Sequence, residues 1–258
     1  MQKTFFLFLL SLPMALSLFG KLTEFTTFYD LNQHLTEDTL LLLDIDDTLL
    51  IPAQMMGSDE WFQHRLKKYK KNGMSNQEAL EKALAEWEGV RHLTKMVLVE
   101  PGSEKVIYSL QENHSILMGL TTQGLSLATR TSLQLKELNI DLSITSPSKE
   151  DCYLNVDHHG VLYRNGILFT SGTDKGIALF QFLEKIGFSP KRILFVNDKA
   201  SHLLEVEKEA LQRGVEFLGL RYSYSDKMKA NFNPEIADRQ FYPLEYLLSD
   251  EEVFFLYE

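Results

Sequence analysis

The sequence is nearly free of cysteine and comparatively poor in basic residues. Cys152 is the only cysteine among 258 residues, which excludes an intrachain disulfide and any multi-cysteine zinc or iron–sulfur site. Lys and Arg total 26 against 36 Asp and Glu, giving a formal net charge of −10. An acidic chain offers little attraction to a polyanion, so we predict no nucleic-acid partner.

The remaining composition is that of a folded domain. Apolar residues make up 44% of the chain and charged residues 24%, which disfavours disordered and fibrous classes. The length predicts one large domain or one domain with an insert. With no internal repeats and no disulfide, stability must come from a packed core.

Residues 1–20, MQKTFFLFLLSLPMALSLFG, have the pattern of a secretory signal peptide. One Lys precedes an uncharged apolar stretch, and the small residues Ala15 and Ser17 suit a cleavage site. The stretch is about 15 residues long, short of the roughly 20 that span a bilayer. We therefore predict a secreted or periplasmic protein with no membrane span after signal removal. An uncleaved anchor and a buried helix of a cytoplasmic protein are the alternatives.

Short aliphatic runs alternate with amphipathic patterns through the rest of the chain. The runs that predict buried strands are residues 40–43, 116–120, 193–196 and 217–220. The patterns that predict helices are residues 103–113, 125–138, 176–186 and 201–213. This alternation predicts an α/β, doubly wound, parallel-sheet, Rossmann-like core, whose ligands bind beyond the carboxyl ends of the strands.

Two stretches interrupt the alternation. Residues 51–100 are polar and helix-rich, with a predicted helix at 59–70 and a capping box from Ser75 to Glu78. This stretch is too long for a plain loop, so we predict a helical cap inserted between core segments 21–50 and 101–258. Residues 153–170 alternate in polarity around two turn signals and predict a β-hairpin or meander.

The strongest chemical signal is Asp44-Ile45-Asp46-Asp47-Thr48, directly after the first predicted strand. Asp44 and Asp46 are two residues apart, so both can face one small site. Such a pair suits phosphoryl transfer, with one carboxylate attacking phosphorus and the other moving a proton. Carboxylates and a phosphate repel one another, so a hard cation such as Mg²⁺ is expected between them. An acidic turn without a ligand is the alternative.

The LLLDIDDTLL segment resembles the first motif of the haloacid dehalogenase (HAD) superfamily of aspartate-nucleophile phosphatases. The other motifs of that superfamily have counterparts here in the same order: Thr121 or Thr122 after a strand, Lys175 before a helix, and Asp198 after Phe195-Val196-Asn197. The resemblance covers the chain from about Leu40 to Leu220 through short motifs. It implies a HAD-like core with the cap inserted after the first strand.

The resemblance implies a role for each acid. Asp44 would be the nucleophile that forms an aspartyl phosphate, and Asp46 the general acid and base, with its backbone carbonyl touching the metal. Asp44, Asp46 and Asp198 would hold Mg²⁺. A helix N-cap is the alternative role for Asp198.

The remaining motif residues would bind the phosphate. Thr121 would hydrogen-bond it, with Thr122 as the rival for that role. Lys175 would place a positive charge against the phosphate and Asp44, where the transition state develops charge. A cation at a helix start opposes the helix dipole, which favours a functional role for Lys175 over a solvated one.

One departure from the superfamily pattern is His202, which stands where many members place a second acidic residue, four positions after Asp198. The aromatic residues Trp61, Phe62 and Trp87 of the cap are expected in its core, with stacking on a base or sugar as the alternative. The adjacent His158 and His159 would point to opposite faces of a hairpin, so we expect turn surface there rather than a metal site.

The function that follows is Mg²⁺-dependent hydrolysis of a small phosphomonoester through phospho-Asp44. The DIDDT motif and export signal are similar to those of secreted acid phosphatases. The segment Asn165-Gly166-Ile167-Leu168-Phe169 resembles one in an uncharacterised, DUF2608-like bacterial group of the superfamily. Phosphomutase or phosphonatase chemistry, and a HAD-fold binding or host-interaction protein without turnover, are the alternatives. The substrate, any protein partner and the oligomeric state stay open.

Overall fold

The computed structural model describes residues 21–245 and 248–256. The predicted signal peptide, residues 1–20, lies outside the described residues. Within the described ranges, none of the helices combines the length and apolarity that a membrane span requires.

The centre of the fold is an eight-stranded sheet with the order β1-β10-β9-β2-β5-β8-β7-β6. Its strands are β1 (Lys21–Phe25), β2 (Thr39–Leu43), β5 (Ile116–Thr121), β6 (Cys152–Val156), β7 (His159–Arg164), β8 (Ile167–Phe169), β9 (Arg192–Asn197) and β10 (Glu216–Tyr222). The first six strands in the spatial order are parallel, and β7 and β6 continue the sheet as an antiparallel meander. A separate antiparallel pair consists of β3 (Leu50–Pro52) and β4 (Met96–Leu98).

Helices cover both faces of the sheet and form the insert. They are α1 (Asp59–Lys71), α2 (Asn76–Leu93), α3 (Ser103–Glu112), α4 (Ala128–Glu137), α5 (Lys175–Lys185), α6 (Ala200–Gln212), α7 (Asp226–Ala230), α8 (Pro234–Glu245) and α9 (Asp250–Leu256). Two short 3-10 segments span Phe28–His34 and Leu125–Leu127.

Strand β2 shows why these runs form a central parallel sheet. All five of its residues are buried, and successive side chains point to opposite faces. Leu41 and Leu43 belong to one apolar cluster, whereas Leu40 and Leu42 belong to another on the opposite face. A strand buried on both faces favours a continuous apolar run over alternation. The predicted doubly wound α/β class is confirmed.

The insert begins immediately after the first central strand. Strands β3 and β4 pair at its base, and α1 and α2 form a helical hairpin above them. Ser58 caps α1 by accepting from the backbone N–H of Trp61. Ser75 and Glu78 form the predicted capping box at the start of α2, so two of the four orphan N–H groups there are satisfied.

The C-terminal helix α8, which sequence analysis placed with the core segment, packs on the insert. The rings of Trp61 and Phe241 lie 5.1 Å apart between centroids. The guanidinium of Arg65, whose side chain is 1% exposed, donates to Glu86 at 2.8 Å and to Glu245 at 3.0 Å. Trp61 is therefore core, as expected, but this core is shared by the insert and the C-terminal helix.

Candidate active site

Parallel pairing brings three chain segments to one edge of the sheet. Leu43 of β2 is in register with Val196 of β9 and with Gly119 of β5. The residues that follow these positions, which include Asp44, Thr121 and Asp198, therefore meet beyond the strand ends. The backbone N–H of Asp44 donates to Val196 O at 3.0 Å, which fixes the start of the DIDDT turn.

Asp44 and Lys175 form a buried ion pair at this edge. Lys175 Nζ lies 2.7 Å from Asp44 Oδ1 and 3.0 Å from Leu120 O, and the Lys175 side chain is fully buried. Burial raises the pKa of Asp44, and the charge of Lys175 opposes that shift. The pair can present a carboxylate oxygen as a nucleophile while the lysine holds charge nearby.

Lys175 is held in place by a close approach between helices α5 and α6. It is the first residue of α5, and its backbone N–H donates to Glu205 Oε2 of α6 at 3.0 Å. Asp174 caps the helix by accepting from the N–H of Ile177 at 2.9 Å. A Cβ on Gly176 would lie 2.3 Å from the backbone oxygen of Glu205. Only glycine permits this approach. The close spacing of α5 and α6 in turn fixes how deeply the Lys175 side chain is buried.

Asp46 is held by two residues that sequence analysis did not select. Arg91 Nη2, from the last turn of α2, lies 2.5 Å from Asp46 Oδ1. Gln123 Nε2 donates to Asp46 Oδ2 at 2.8 Å, and Thr131 Oγ1 donates to Gln123 Oε1 at 2.5 Å. The Arg91 side chain is buried, so the proposed general acid is oriented by the insert as well as by the core.

Asp47 and Asp198 add buried carboxyl groups to the site. Burial raises the pKa of Asp47 well above its usual range, and Asp59 and Asp198 raise it further. Burial, followed by the nearby Asp44, also raises the pKa of Asp198. Asp198 Oδ2 accepts from Lys229 Nζ of α7 at 2.9 Å, and the Asp198 N–H donates to Thr48 Oγ1 at 3.2 Å.

Lys199 contributes a further positive charge at the cavity wall. It forms an ion pair with Asp59 of the insert. Burial lowers the pKa of Lys199, but the carboxylates of Asp59 and Asp198 outweigh it, so the pKa stands above the usual range. Lys199 therefore remains protonated beside these acids, with its side chain partly exposed.

The structure separates the two candidate threonines. Thr121 is buried, and its hydroxyl accepts from the N–H of Gln123 at 3.2 Å. Thr122 lines the cavity that contains Asp44 and Asp46. Of the two, Thr122 is thus the residue placed to reach a ligand in that cavity.

The cavity over Asp44 has a volume of about 570 Å³, within the range of small-molecule sites. Core residues on its wall include Asp44, Asp46, Thr122, Gln123, Lys199 and His202. The insert contributes Phe62, Leu80, Leu84 and Trp87. The cavity therefore joins the polar edge of the sheet to an apolar wall supplied by the insert.

Two histidines also face this cavity. Burial lowers the pKa of His202 to about 3, and the charges of Lys175 and Lys199 lower it as well, so the imidazole is neutral at ordinary pH. The expected turn comprises Asp157 and His158, both with positive φ, whereas His159 begins β7 and lines the cavity. His158 is absent from the cavity wall, and His159 lies at the site rather than on the turn surface expected for it.

The predicted Mg²⁺ ligands Asp44, Asp46 and Asp198 are each paired with a basic side chain. Within residues 21–245 and 248–256, no group of three or more His, Cys, Asp or Glu side chains is arranged to hold a metal ion. The three acids bond Lys175, Arg91 and Lys229, respectively. Those bonds use Oδ1 of Asp44 and Oδ2 of Asp198, so each carboxylate retains a second oxygen. These remaining carboxylate oxygens are hard ligands, and further buried carboxyl groups lie nearby. Such a donor set suits Mg²⁺.

The fold and site together define an α/β protein with an aspartate–lysine pair at the carboxyl edge of a parallel sheet. The chain belongs to the family described as "Protein of unknown function (DUF2608)", whose profile matches residues 24–254.

Its relatives include bacterial proteins with provisional outer-membrane names. One from Chlamydia pneumoniae is 27% identical over 226 residues, covering 83% of this chain and 82% of the relative. One from Chlamydia trachomatis is 23% identical over 259 residues, covering 97% and 95%. An uncharacterised protein of Rickettsia prowazekii is 23% identical over 222 residues, covering 83% and 80%.

Solved structures with partial likeness are named as hydrolases. A haloacid dehalogenase-like family hydrolase from Streptococcus pneumoniae is 12% identical, with a TM-score of 0.41, covering 70% of this chain and 92% of that chain. A hydrolase from Pseudomonas syringae is 18% identical, with a TM-score of 0.40, covering 78% and 89%. Scores this low add no argument to the topology and site described above.

Proposed function

We propose that this protein is an exported, Mg²⁺-dependent phosphomonoester hydrolase that works through phospho-Asp44. The observation that carries the proposal is the 2.7 Å contact between Lys175 Nζ and Asp44 Oδ1. Asp44 and Asp46 line the same cavity, and Asp44 is close enough to Asp198 to raise the pKa of that carboxyl. These residues come from three segments far apart in the sequence, around Asp44, Lys175 and Asp198, and are the four acidic and basic positions of the HAD-like motifs.

The chain's own residues account for each step. Asp44 attacks phosphorus, forming the aspartyl–phosphorus bond as the ester P–O bond breaks, and Asp46 gives a proton to the leaving oxygen. Asp46 then accepts a proton from the water that attacks phospho-Asp44, which releases phosphate and restores the carboxylate. Lys175 and Lys199 stabilise negative charge on the phosphoryl oxygens.

The proposed Mg²⁺ would be held by side-chain oxygens of Asp44 and Asp198 and by the backbone carbonyl of Asp46. When bound it supplies positive charge between the phosphate and the acids. The raised pKa of Asp198 supports this assignment, because it reflects burial and the nearby carboxylate of Asp44.

The test is hydrolysis of p-nitrophenyl phosphate by the purified mature chain with Mg²⁺ and with EDTA. We expect turnover that EDTA removes and that Asp44→Asn abolishes. Asp157→Asn, which changes an exposed turn carboxylate, is the matched control and should retain full activity. Turnover that persists in a folded Asp44→Asn variant would contradict the proposal.

A second candidate is a binding protein that keeps the fold without turnover. The observation that favours it is that all three proposed ligand acids are bonded to basic side chains. A broad panel of phosphomonoesters with no turnover in Mg²⁺ or Mn²⁺, together with saturable binding of inorganic phosphate, would select this candidate. Inorganic phosphate release that requires Asp44 would exclude it.

We also propose export. The support is the apolar sequence of residues 1–20 and the outer-membrane names given to the chlamydial relatives. Expression of the full chain in a Gram-negative host tests it: we expect a periplasmic product shortened near Ser17 by mass spectrometry. An unprocessed product in the cytoplasmic fraction would contradict export.

A further inference from the structure

The insert presents a single apolar stripe to the cavity over Asp44. Leu80, Leu84 and Trp87 follow the i, i+4, i+7 spacing of one helix face on α2. Phe62 of α1 joins them, its ring 6.4 Å from that of Trp87 in an edge-on arrangement. All four line the cavity. Arg91, the next residue of this stripe, contacts Asp46, so the stripe leads from the cavity mouth to the proposed reaction centre.

The two leucines are not needed to fill a core. Leu80 is 47% exposed and Leu84 is 41% exposed, although each contributes apolar surface to the cavity. Trp61, by contrast, is fully buried between the insert and α8. An apolar group of a ligand would cover these half-exposed leucines and so remove their apolar surface from water.

The stripe is fixed to the core by two residues that follow Trp87 on α2. Arg91 contacts Asp46 at 2.5 Å, and Glu88 accepts from Ser126 Oγ at 2.7 Å. A Cβ on Gly124 would lie 2.7 Å from Glu88 Oε1, so the core loop approaches α2 closely. The apolar wall is thus held over the site rather than swung away from it.

Two of the polar side chains that line the cavity are already bonded within the protein. Gln123 uses its amide nitrogen on Asp46 and its oxygen on Thr131, and Ser171 Oγ donates to Gly160 O at 2.7 Å. A polyol placed against the leucines and aromatic rings of the stripe would lose water without gaining a hydrogen bond from them, which is unfavourable. An aromatic or alkyl group would cover the stripe at no such cost.

We infer that the site selects phosphomonoesters whose organic part is aromatic or alkyl, and rejects sugar and glycerol phosphates. The inference rests on the proposed function for the phosphoryl group, but its test is binding and does not require turnover. Each methylene buried against the stripe should strengthen binding about fourfold, from about 0.8 kcal/mol per buried methylene.

The experiment is calorimetric titration of the mature chain, in Mg²⁺, with benzylphosphonate and 2-hydroxyethylphosphonate, neither of which can be hydrolysed. We expect benzylphosphonate to bind at least about tenfold more tightly. The double variant Leu80→Gln/Leu84→Gln should lose most of that preference while keeping the weaker affinity for 2-hydroxyethylphosphonate. Leu93→Gln is the matched control, because Leu93 lies on the same helix, is 74% exposed and does not line the cavity.

Equal affinity for the two phosphonates, no binding of either, or equal losses in the Leu93→Gln control would overturn the inference. Hydrolysis measured in parallel separates it from the proposed function. Turnover of phenyl phosphate and glycerol phosphate with the same kcat/KM would refute the selectivity and leave the hydrolase intact. Benzylphosphonate preference without turnover of any ester would support the apolar pocket and refute the hydrolase.

Discussion

Arg91 of the insert contacts Asp46 of the core through Nη2 and Oδ1 at 2.5 Å. The contact joins the C-terminal turn of α2 to the turn that carries the proposed nucleophile. Because Gln123 holds the other oxygen of Asp46, both oxygens of the carboxylate are fixed. Arg91 is therefore a positioning residue for the proposed acid and base.

Substitution Arg91→Gln should lower kcat about 10- to 100-fold on phenyl phosphate, because Asp46 loses its orientation as a proton donor. The loss should be smaller on p-nitrophenyl phosphate, whose leaving group departs readily without a proton. Arg91→Lys should restore part of the activity. Steady-state kinetics on both esters check this, and equal losses on the two would indicate a general structural defect instead.

Removal of the buried lysine should leave an unpaired acid. We expect Lys175→Met to lower the free energy of unfolding by about 3–5 kcal/mol at pH 7, because Asp44 stays buried without its cation. The double variant Asp44→Asn/Lys175→Met should recover much of that loss. Urea unfolding measures both, and no recovery in the double variant would show that Lys175 acts by packing alone.

The same variant has a defined pH dependence. Burial raises the pKa of Asp44 above its ordinary value of 3.8, and Lys175 is what opposes that shift. In Lys175→Met the folded-state pKa should rise further, so the folded protein binds a proton before the unfolded chain does. Its destabilisation should therefore shrink as pH falls through that raised pKa toward 3.8. A penalty that grows on acidification would contradict this account.

Gly176 tests how the position of Lys175 is set. A Cβ there would lie 2.3 Å from the backbone oxygen of Glu205, so Gly176→Ala should push α5 from α6 and destabilise the fold by about 1–3 kcal/mol. Activity should fall as Lys175 moves. Gly89→Ala is the matched control, since Gly89 is an exposed helical glycine with no atom within 4 Å of an added Cβ. It should be neutral or stabilising by up to about 1 kcal/mol, as thermal unfolding can show.

The central sheet could be predicted because its strands are continuous apolar runs, and a run buried on both faces needs no partner information to be recognised. Strand β1 could not be predicted, because its residues are mostly exposed at the sheet edge. Its pairing with β10 depends on tertiary contact. The packing of α8 on the insert was equally hidden. The residues of α8 that contact the insert, such as Phe241, follow an amphipathic pattern that would fit packing on the insert or on the core equally well.

The polar residues at the site divide in the same way. Asp44 and Lys175 could be paired in advance through the resemblance to the HAD motifs, which implies that Lys175 places its charge against Asp44. Arg91 lies on a helix whose docking angle the sequence does not give. Its only signal is a charged residue four positions after Trp87 on an otherwise apolar face. Lys229 follows the last motif and has no comparable signal.

The packing of α8 on the insert should depend on Arg65. Its guanidinium bonds Glu86 and Glu245 and lies 4.6 Å from the centre of the Phe241 ring. Arg65→Met should cost about 2 kcal/mol, because Glu86 and Glu245 lose charge-assisted bonds to a buried guanidinium. Arg130→Met is the control, since its partner Glu137 is 57% exposed, and it should cost less than about 1 kcal/mol. Urea midpoints compare the two, and equal effects would contradict the assignment.

His202 should make the fold sensitive to mild acid. Burial, Lys175 and Lys199 lower its pKa from 6.5 to about 3, so the unfolded chain binds a proton between those values while the folded protein does not. Stability attributable to His202 is therefore fully present above pH 6.5 and is lost as pH falls toward 3. At pH 5 the loss should be about 2 kcal/mol.

His202→Gln should remove that part of the pH dependence, whereas His92→Gln, which changes an exposed histidine, should follow the wild type. Urea unfolding at pH 7 and pH 5 measures the difference, and the same acid sensitivity in all three proteins would show that His202 titrates alike in the folded and unfolded states.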